Sequence, residues 1–112
     1  MGLFITSALS EDTIAAPGNR LNNYITVSVT DANGVPITGL TARNFKVDAM
    51  IVGPGGALVT ITSVTAGRLP GFYIVNVVPI GTNTWKSGVY IFAVAVKRNA
   101  DQGQCLAKVL LD

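Results

Sequence analysis

The sequence predicts an all-β protein, an antiparallel β-sandwich of about seven strands, and three observations carry that prediction. Apolar and β-branched residues fall in short runs, several of them alternating with polar residues. Clusters of Gly, Pro, Asn and Asp punctuate these runs every ~8 to 12 residues. No stretch long enough for a helix keeps the apolar spacing a helix needs. The 112 residues form one domain, residues 1–112. A chain of that length buries roughly two-thirds of its unfolded surface around a single core.

Taken in order, Leu3 to Leu9 reads as a first strand. It lacks the basic start and the length of a signal peptide, so the compartment stays open: cytoplasmic for a whole protein, surface or secreted for an excised domain. Glu11 to Asn23 is a long connection with a turn signal at Pro17-Gly18-Asn19. Tyr24–Thr30 is the cleanest alternation, with Ile25, Val27 and Val29 facing a core and Thr26, Ser28 and Thr30 facing water. Asp31-Ala32-Asn33-Gly34 turns the chain, since Asp accepts backbone N–H groups and Asn-Gly tolerates positive φ. Pro36 confines Val35–Leu40 to an edge or a loop. Phe45–Val52 resumes as a strand, and Gly53-Pro54-Gly55-Gly56 reads as a tight hairpin into Ala57–Thr65.

Gly67–Gly71 turns into the strand Phe72–Val78, and Gly81–Lys86 leads to Ser87–Lys97. This last stretch organises the rest. Tyr90, Phe92, Val94 and Val96 share one face, and Val89, Ile91, Ala93 and Ala95 share the other. A strand apolar on both faces belongs at the centre of a sheet and needs cover on both sides. Gln104–Leu111 completes the chain. The expected core is Ile25, Val27, Val29, Val47, Val75, Tyr90, Phe92 and Val94. Together the elements make the pattern of an immunoglobulin-like sandwich.

A family resemblance accompanies the pattern. Val27 to Leu40 runs an alternating strand into Asp-x-x-Gly-x-Pro and then Gly39-Leu40, and this resembles an opening that recurs in bacterial immunoglobulin-like and macroglobulin-like domains. Gly71-Phe72-Tyr73 and Gly88-Val89-Tyr90 resemble the paired Gly-x-Tyr strand starts of the same domains. Tyr90 takes the place of a tyrosine corner. The resemblance covers about residues 24–111 and rests on turn-formers and core-formers. It implies a spacer, adhesion or assembly module. The paired cysteines of antibody-type domains and anything like a macroglobulin thioester are missing.

Composition narrows the chemistry. Charged residues are 12% of the chain and apolar residues 49%, whereas about 25% charge is usual. Two readings fit this balance: a well-filled core with Thr, Ser and Asn supplying the polar surface, or an apolar face covered by a second chain. No window approaches the ~18 to 20 uninterrupted apolar residues of a spanning helix. The net charge of +2 leaves eight basic residues scattered, with only Lys97 and Arg98 adjacent. A nucleic-acid binder concentrates its cations, so no nucleic acid is expected as a partner.

Histidine is absent and Cys105 is the only cysteine. That removes the commonest general base, the Ser-His and Cys-His pairs, the commonest zinc ligand and any internal disulfide. Cys105 reads as a buried filler. The loop end of the sandwich gathers Asp31, Arg43, Arg68, Arg98 and Asp101. An Asp31–Asp101 carboxylate pair would need ~5 to 9.5 Å for acid–base work, and Asn33 and Asn99 would add a weak Ca²⁺ site. The simpler reading is that Asp31 caps a turn and Asp101 neutralises Arg98. No enzyme activity, metal or cofactor is expected.

The candidate binding residues are Ile91, Leu106, Leu110 and Trp85. Ile91 points outward if Tyr90 and Phe92 point inward, and Leu106 and Leu110 join it on a neighbouring strand, with Lys108 on the same face. This predicts an apolar patch covered by a second copy, a protein partner or the N-terminal segment. Trp85 either plugs the core or stands exposed as an anchor for a carbohydrate or peptide. The expected function is a non-catalytic structural or interaction module that self-associates or joins a larger assembly. The alternative is a ligand-binding module that uses the loop end or Trp85.

Overall fold

The computed structural model describes residues 4–10, 18, 21–51, 59–85 and 88–111, without the side chains of 7–10, 49–51, 88–89 and 109–111. Its strands are β1 (Ile5–Ser10), β2 (Asn23–Thr30), β3 (Phe45–Ile51), β4 (Val59–Ala66), β5 (Phe72–Pro79), β6 (Gly88–Arg98) and β7 (Asp101–Leu111), with a short 3₁₀ turn at Ala42–Asn44. They form two sheets, ordered β1-β2-β5-β4 and β3-β6-β7. Every pairing is antiparallel. Lettered A to G in chain order, the sheets of this all-β sandwich read A-B-E-D and C-F-G.

Alternation fixes which face each strand buries. β2 alternates buried with half-buried residues along its whole length. Ile25, Val27 and Val29 of β2 lose all exposure, as do Val75 and Val77 of β5. Across the sandwich, Tyr90, Phe92, Val94 and Val96 of β6 do the same. All eight expected core residues are buried. The strand that is apolar on both faces is the centre of its sheet, between β3 and β7.

Two details depart from the sequence expectations, in the β3–β4 connection and at the start of β7, while Val35–Leu40 is the loop that Pro36 allows. Gly53–Gly56 lies outside the described residues, but the strands on either side of it sit in different sheets, β3 with β6 and β4 with β5. The connection is therefore a crossover and not a hairpin. Turn-formers mark a reversal of the chain, while the sheet that buries each flanking strand decides its partner. Val35–Leu40 forms no strand, and Pro36 makes a single bridge to Thr30. β7 begins at Asp101 and not Gln104, because a two-residue turn, Asn99-Ala100, keeps β6 and β7 paired from Arg98↔Asp101 to Gly88↔Leu111.

The N-terminal residues close one seam of the sandwich. β1 pairs with β2, yet the Phe4 amide donates to the Gln102 carbonyl of β7 at 3.0 Å. Phe4 itself is buried in the core. A Cβ at Gly103 would overlap the Phe4 carbonyl, so glycine is what lets the two backbones approach. The described N-terminal residues thus run along the seam and do not lie across the outer face of β6 and β7.

Phe92 sits under the aromatic cluster with no exposure, 5.9 Å from the Tyr90 ring and 6.5 Å from the Trp85 ring. Phe92→Ala is expected to cost ~3 to 5 kcal/mol in urea unfolding, from lost burial and the cavity left behind. A loss under about 1 kcal/mol would show that the core closes elsewhere.

Candidate functional site

The outer face of the β3-β6-β7 sheet is where the predicted binding residues collect. Register sets its rows. Asp48 of β3, Ala93 of β6 and Leu106 of β7 stand side by side, and so do Lys46, Ala95 and Gln104. Ile91 pairs with Lys108. Because directly opposed residues share a face, these positions are opposite in sense to buried Val47, Phe92, Val94 and Ala107. Ile91, Ala93 and Ala95 are half-buried, and Leu106 is 60% exposed. Leu110 pairs with Val89, and the side chains of both lie outside the described residues.

The face is thus an apolar stripe along β6, flanked by charge. Lys46 and Asp48 line the β3 side, with Nζ and Oδ2 3.9 Å apart and both side chains largely exposed. Lys108 lies on the β7 side. An exposed pair of that length holds weakly and leaves both groups available. In place of a wholly apolar sheet, polar side chains interleave with the stripe.

At the loop end the same sheet opens into a cleft of about 640 Å³. Arg43, Lys46 and Lys97 line it together with Gln102 and Gln104, above a floor that includes Ala95 and Gly103. Hydrogen bonds fix the backbone that carries two of these side chains. Asn44 accepts the Thr41 amide at 2.8 Å and donates its Nδ2 to the Lys97 carbonyl at 2.9 Å. The 3₁₀ turn that carries Arg43 is thereby fastened to the end of β6. Sequence reading missed this convergence, because the three cations stand 3 and 51 residues apart and only the β3–β6 register joins them.

The neighbouring loops are held by their own polar groups. Asp31 Oδ1 accepts the amides of Asn33 at 2.8 Å and Val35 at 3.0 Å, which closes the β2–β3 turn. Arg98 donates its Nη1 to the Thr38 carbonyl at 2.9 Å, tying the β6 end to the same loop. Asp101 lies opposite Arg98 at the mouth of the hairpin. Among the described residues no three His, Cys, Asp or Glu side chains gather as metal ligands would. Tyr73 carries the tether of this region: its hydroxyl donates to the Ile37 carbonyl at 2.7 Å and accepts the Leu40 amide at 3.3 Å. The ring of Tyr90, the expected corner residue, packs 5.2 Å from Trp85 in the core.

Trp85 is fully buried, so of its two readings the plug of the core holds and the exposed anchor for a ligand does not. Its Nε1 donates to the Leu21 carbonyl at 2.7 Å, and its ring meets Tyr90 edge-on. A buried indole needs a partner for its one donor, and the chain entering β2 supplies it. Cys105 faces inward and is half-buried at the seam. Burial pushes its thiol above the ordinary value.

No family model, curated protein or solved structure matches the chain. Its function therefore rests on the geometry of this sheet.

Two outcomes are expected from these sites. Tyr73→Phe leaves the Ile37 carbonyl and the Leu40 amide without their partner and is expected to cost about 1 to 2 kcal/mol in chemical denaturation. For Cys105, a raised pKa means fewer thiolates at neutral pH, and the thiolate is the reactive form. Labelling by an aromatic disulfide should be slow in native buffer at pH 7, rise only at pH values above the ordinary thiol range, and become fast in denaturant. Fast native labelling at pH 7 would overturn this.

Proposed function

We propose that this chain is a non-catalytic interaction module of the bacterial immunoglobulin-like kind, and that it associates with a second copy of itself through the outer face of the β3-β6-β7 sheet. The observation that carries this reading is the row of Ile91, Ala93 and Ala95 beside a 60% exposed Leu106, on the face of a sheet that ordinarily meets water. Small side chains along β6 let a second sheet approach closely. The strand order and the Asp-x-x-Gly-x-Pro opening support the immunoglobulin-like reading.

The charges on this face favour a second copy as the occupant. A two-fold axis parallel to β6 lays each β3 over the partner's β7. That brings the acidic Asp48 onto the Leu106–Lys108 stretch, and by symmetry does so twice. Both sheet faces then bury their apolar stripes against each other at the ~10 Å spacing of packed sheets. The carbohydrate alternative loses its aromatic platform once Trp85 lies inside the core.

The test is light scattering after size exclusion over a range of concentrations. The wild type is expected to form a dimer or a larger closed ring. Ile91→Lys and Leu106→Lys are expected to give folded monomers with unchanged circular dichroism, because both positions lie outside the core. A wild type that stays monomeric at every concentration would sink the reading, as would Lys variants that associate as the wild type does.

A further inference from the structure

We infer that the loop-end cleft of the β3-β6-β7 sheet is a docking groove for an acidic, extended peptide segment of a partner protein. The inference goes beyond self-association and does not rest on it: the cleft lies at the loop end of the sheet and meets the stripe around Ile91 and Leu106 only at Lys46 and Ala95. Two observations meet here. One is shape, a cleft of about 640 Å³ at the loop end of the sheet. The other is charge. Arg43, Lys46 and Lys97 line that cleft, and among the described residues no acid does. Three of the chain's eight basic residues therefore surround one cavity in a protein that is only 12% charged.

The remaining lining selects the class of ligand. Gln102 and Gln104 stand exposed on the outward positions of β7, across from Lys97 and Ala95. Each amide offers both donors and an acceptor, which suits the alternating N–H and C=O groups of an extended backbone. The small Ala95 in the floor lets a backbone approach the sheet. Bases and sugars are gripped by stacking on open rings, and the cleft's aromatic residues, Phe4 and Phe45, are 4% and 6% exposed. Nucleic acid would also call for a longer track of cations than three. Carboxylates from an Asp- and Glu-rich segment satisfy Arg43, Lys46 and Lys97 without needing either.

Lys46 is the cation already shared, with Asp48 at 3.9 Å. An incoming carboxylate competes with a long, exposed pair, so the groove is not blocked by it. Arg43 is presented on a turn fastened to the Lys97 carbonyl, which fixes the width of the groove before a ligand arrives.

The experiment is fluorescence anisotropy with fluorescein-labelled hexaglutamate as the probe. Hexaglutamine, a short single-stranded oligothymidylate and a sulfated oligosaccharide, labelled alike, serve as comparisons. Hexaglutamate is expected to bind the full chain tightest of the four. Raising the ionic strength from ~0.01 M to ~0.15 M shortens the Debye length from about 30 Å to about 8 Å and should weaken binding several-fold. Lys46→Glu with Lys97→Glu should weaken it by at least about tenfold. Lys97→Gln, a milder change at an exposed position, should weaken it less and in the same direction. The Ile91→Lys variant should bind hexaglutamate at least as tightly as the wild type, which separates this inference from the self-association test. Equal affinity for hexaglutamate and hexaglutamine would overturn the inference. So would affinity that survives charge reversal in a folded variant, or tighter binding of the oligonucleotide or the sulfated sugar.

Discussion

Tyr90, Phe92, Val94 and Val96 lose all exposure only because an opposing sheet is held over them, with Ile25, Val27, Val29, Val75 and Val77 brought to zero exposure in turn. That mutual burial is the constraint on which the other features depend. Side chains of this size each contribute roughly 1.5 to 3 kcal/mol when fully buried. None of them reaches its partner through local sequence, because β2 and β6 belong to different sheets. Trp85 seals the far end of the same core and finds its hydrogen bond at Leu21, so the chain entering β2 is pinned where the aromatic cluster needs it. At the near end Phe4 crosses to β7 and closes the seam.

Once the inner face of β6 is committed, its outer face is committed too. Strand geometry sends Ile91, Ala93 and Ala95 the other way, and they are followed there by Lys46, Asp48, Leu106 and Lys108 from the flanking strands. The outcome is a surface with two characters. Around Ile91 it is apolar at the centre and charged at the margins, as an association surface is. Toward the loops it becomes a cationic cleft. The two share a sheet but few side chains, so a change in one can leave the other intact.

How much of this the sequence made legible follows from which signals are local. Parity is local, and reading it along Tyr24–Thr30 and Ser87–Lys97 placed the inward residues correctly. Turn chemistry is local as well, and Asp31 closes its turn through two amides as its residue type suggests. Pairing is not local. Nothing near Lys46 or Lys97 announces that β3 lies beside β6, so the cationic cleft stayed hidden among scattered charges. Nothing near Gly103 announces that Phe4 will lie against it from 99 residues away. Trp85 sat between polar neighbours that gave no direction, and a carbonyl 64 residues away decided the matter.

The turn between β6 and β7 joins the fold to its surface. Asn99 holds φ at 56°, in the left-handed region that asparagine tolerates better than most residues. A two-residue turn with that geometry matches the twist of its strands and allows one register. In that register Gly103, Cys105 and Ala107 face inward, while Gln102, Gln104, Leu106 and Lys108 face outward. A slip by one residue would exchange the two sets, sending Leu106 and Lys108 toward the core and removing both glutamines from the cleft. It would also take Gly103 away from the Phe4 carbonyl and put a side chain there, which the seam has no room for. Core, seam and outer surface therefore demand the same register, and a two-residue turn at one end of the hairpin sets it.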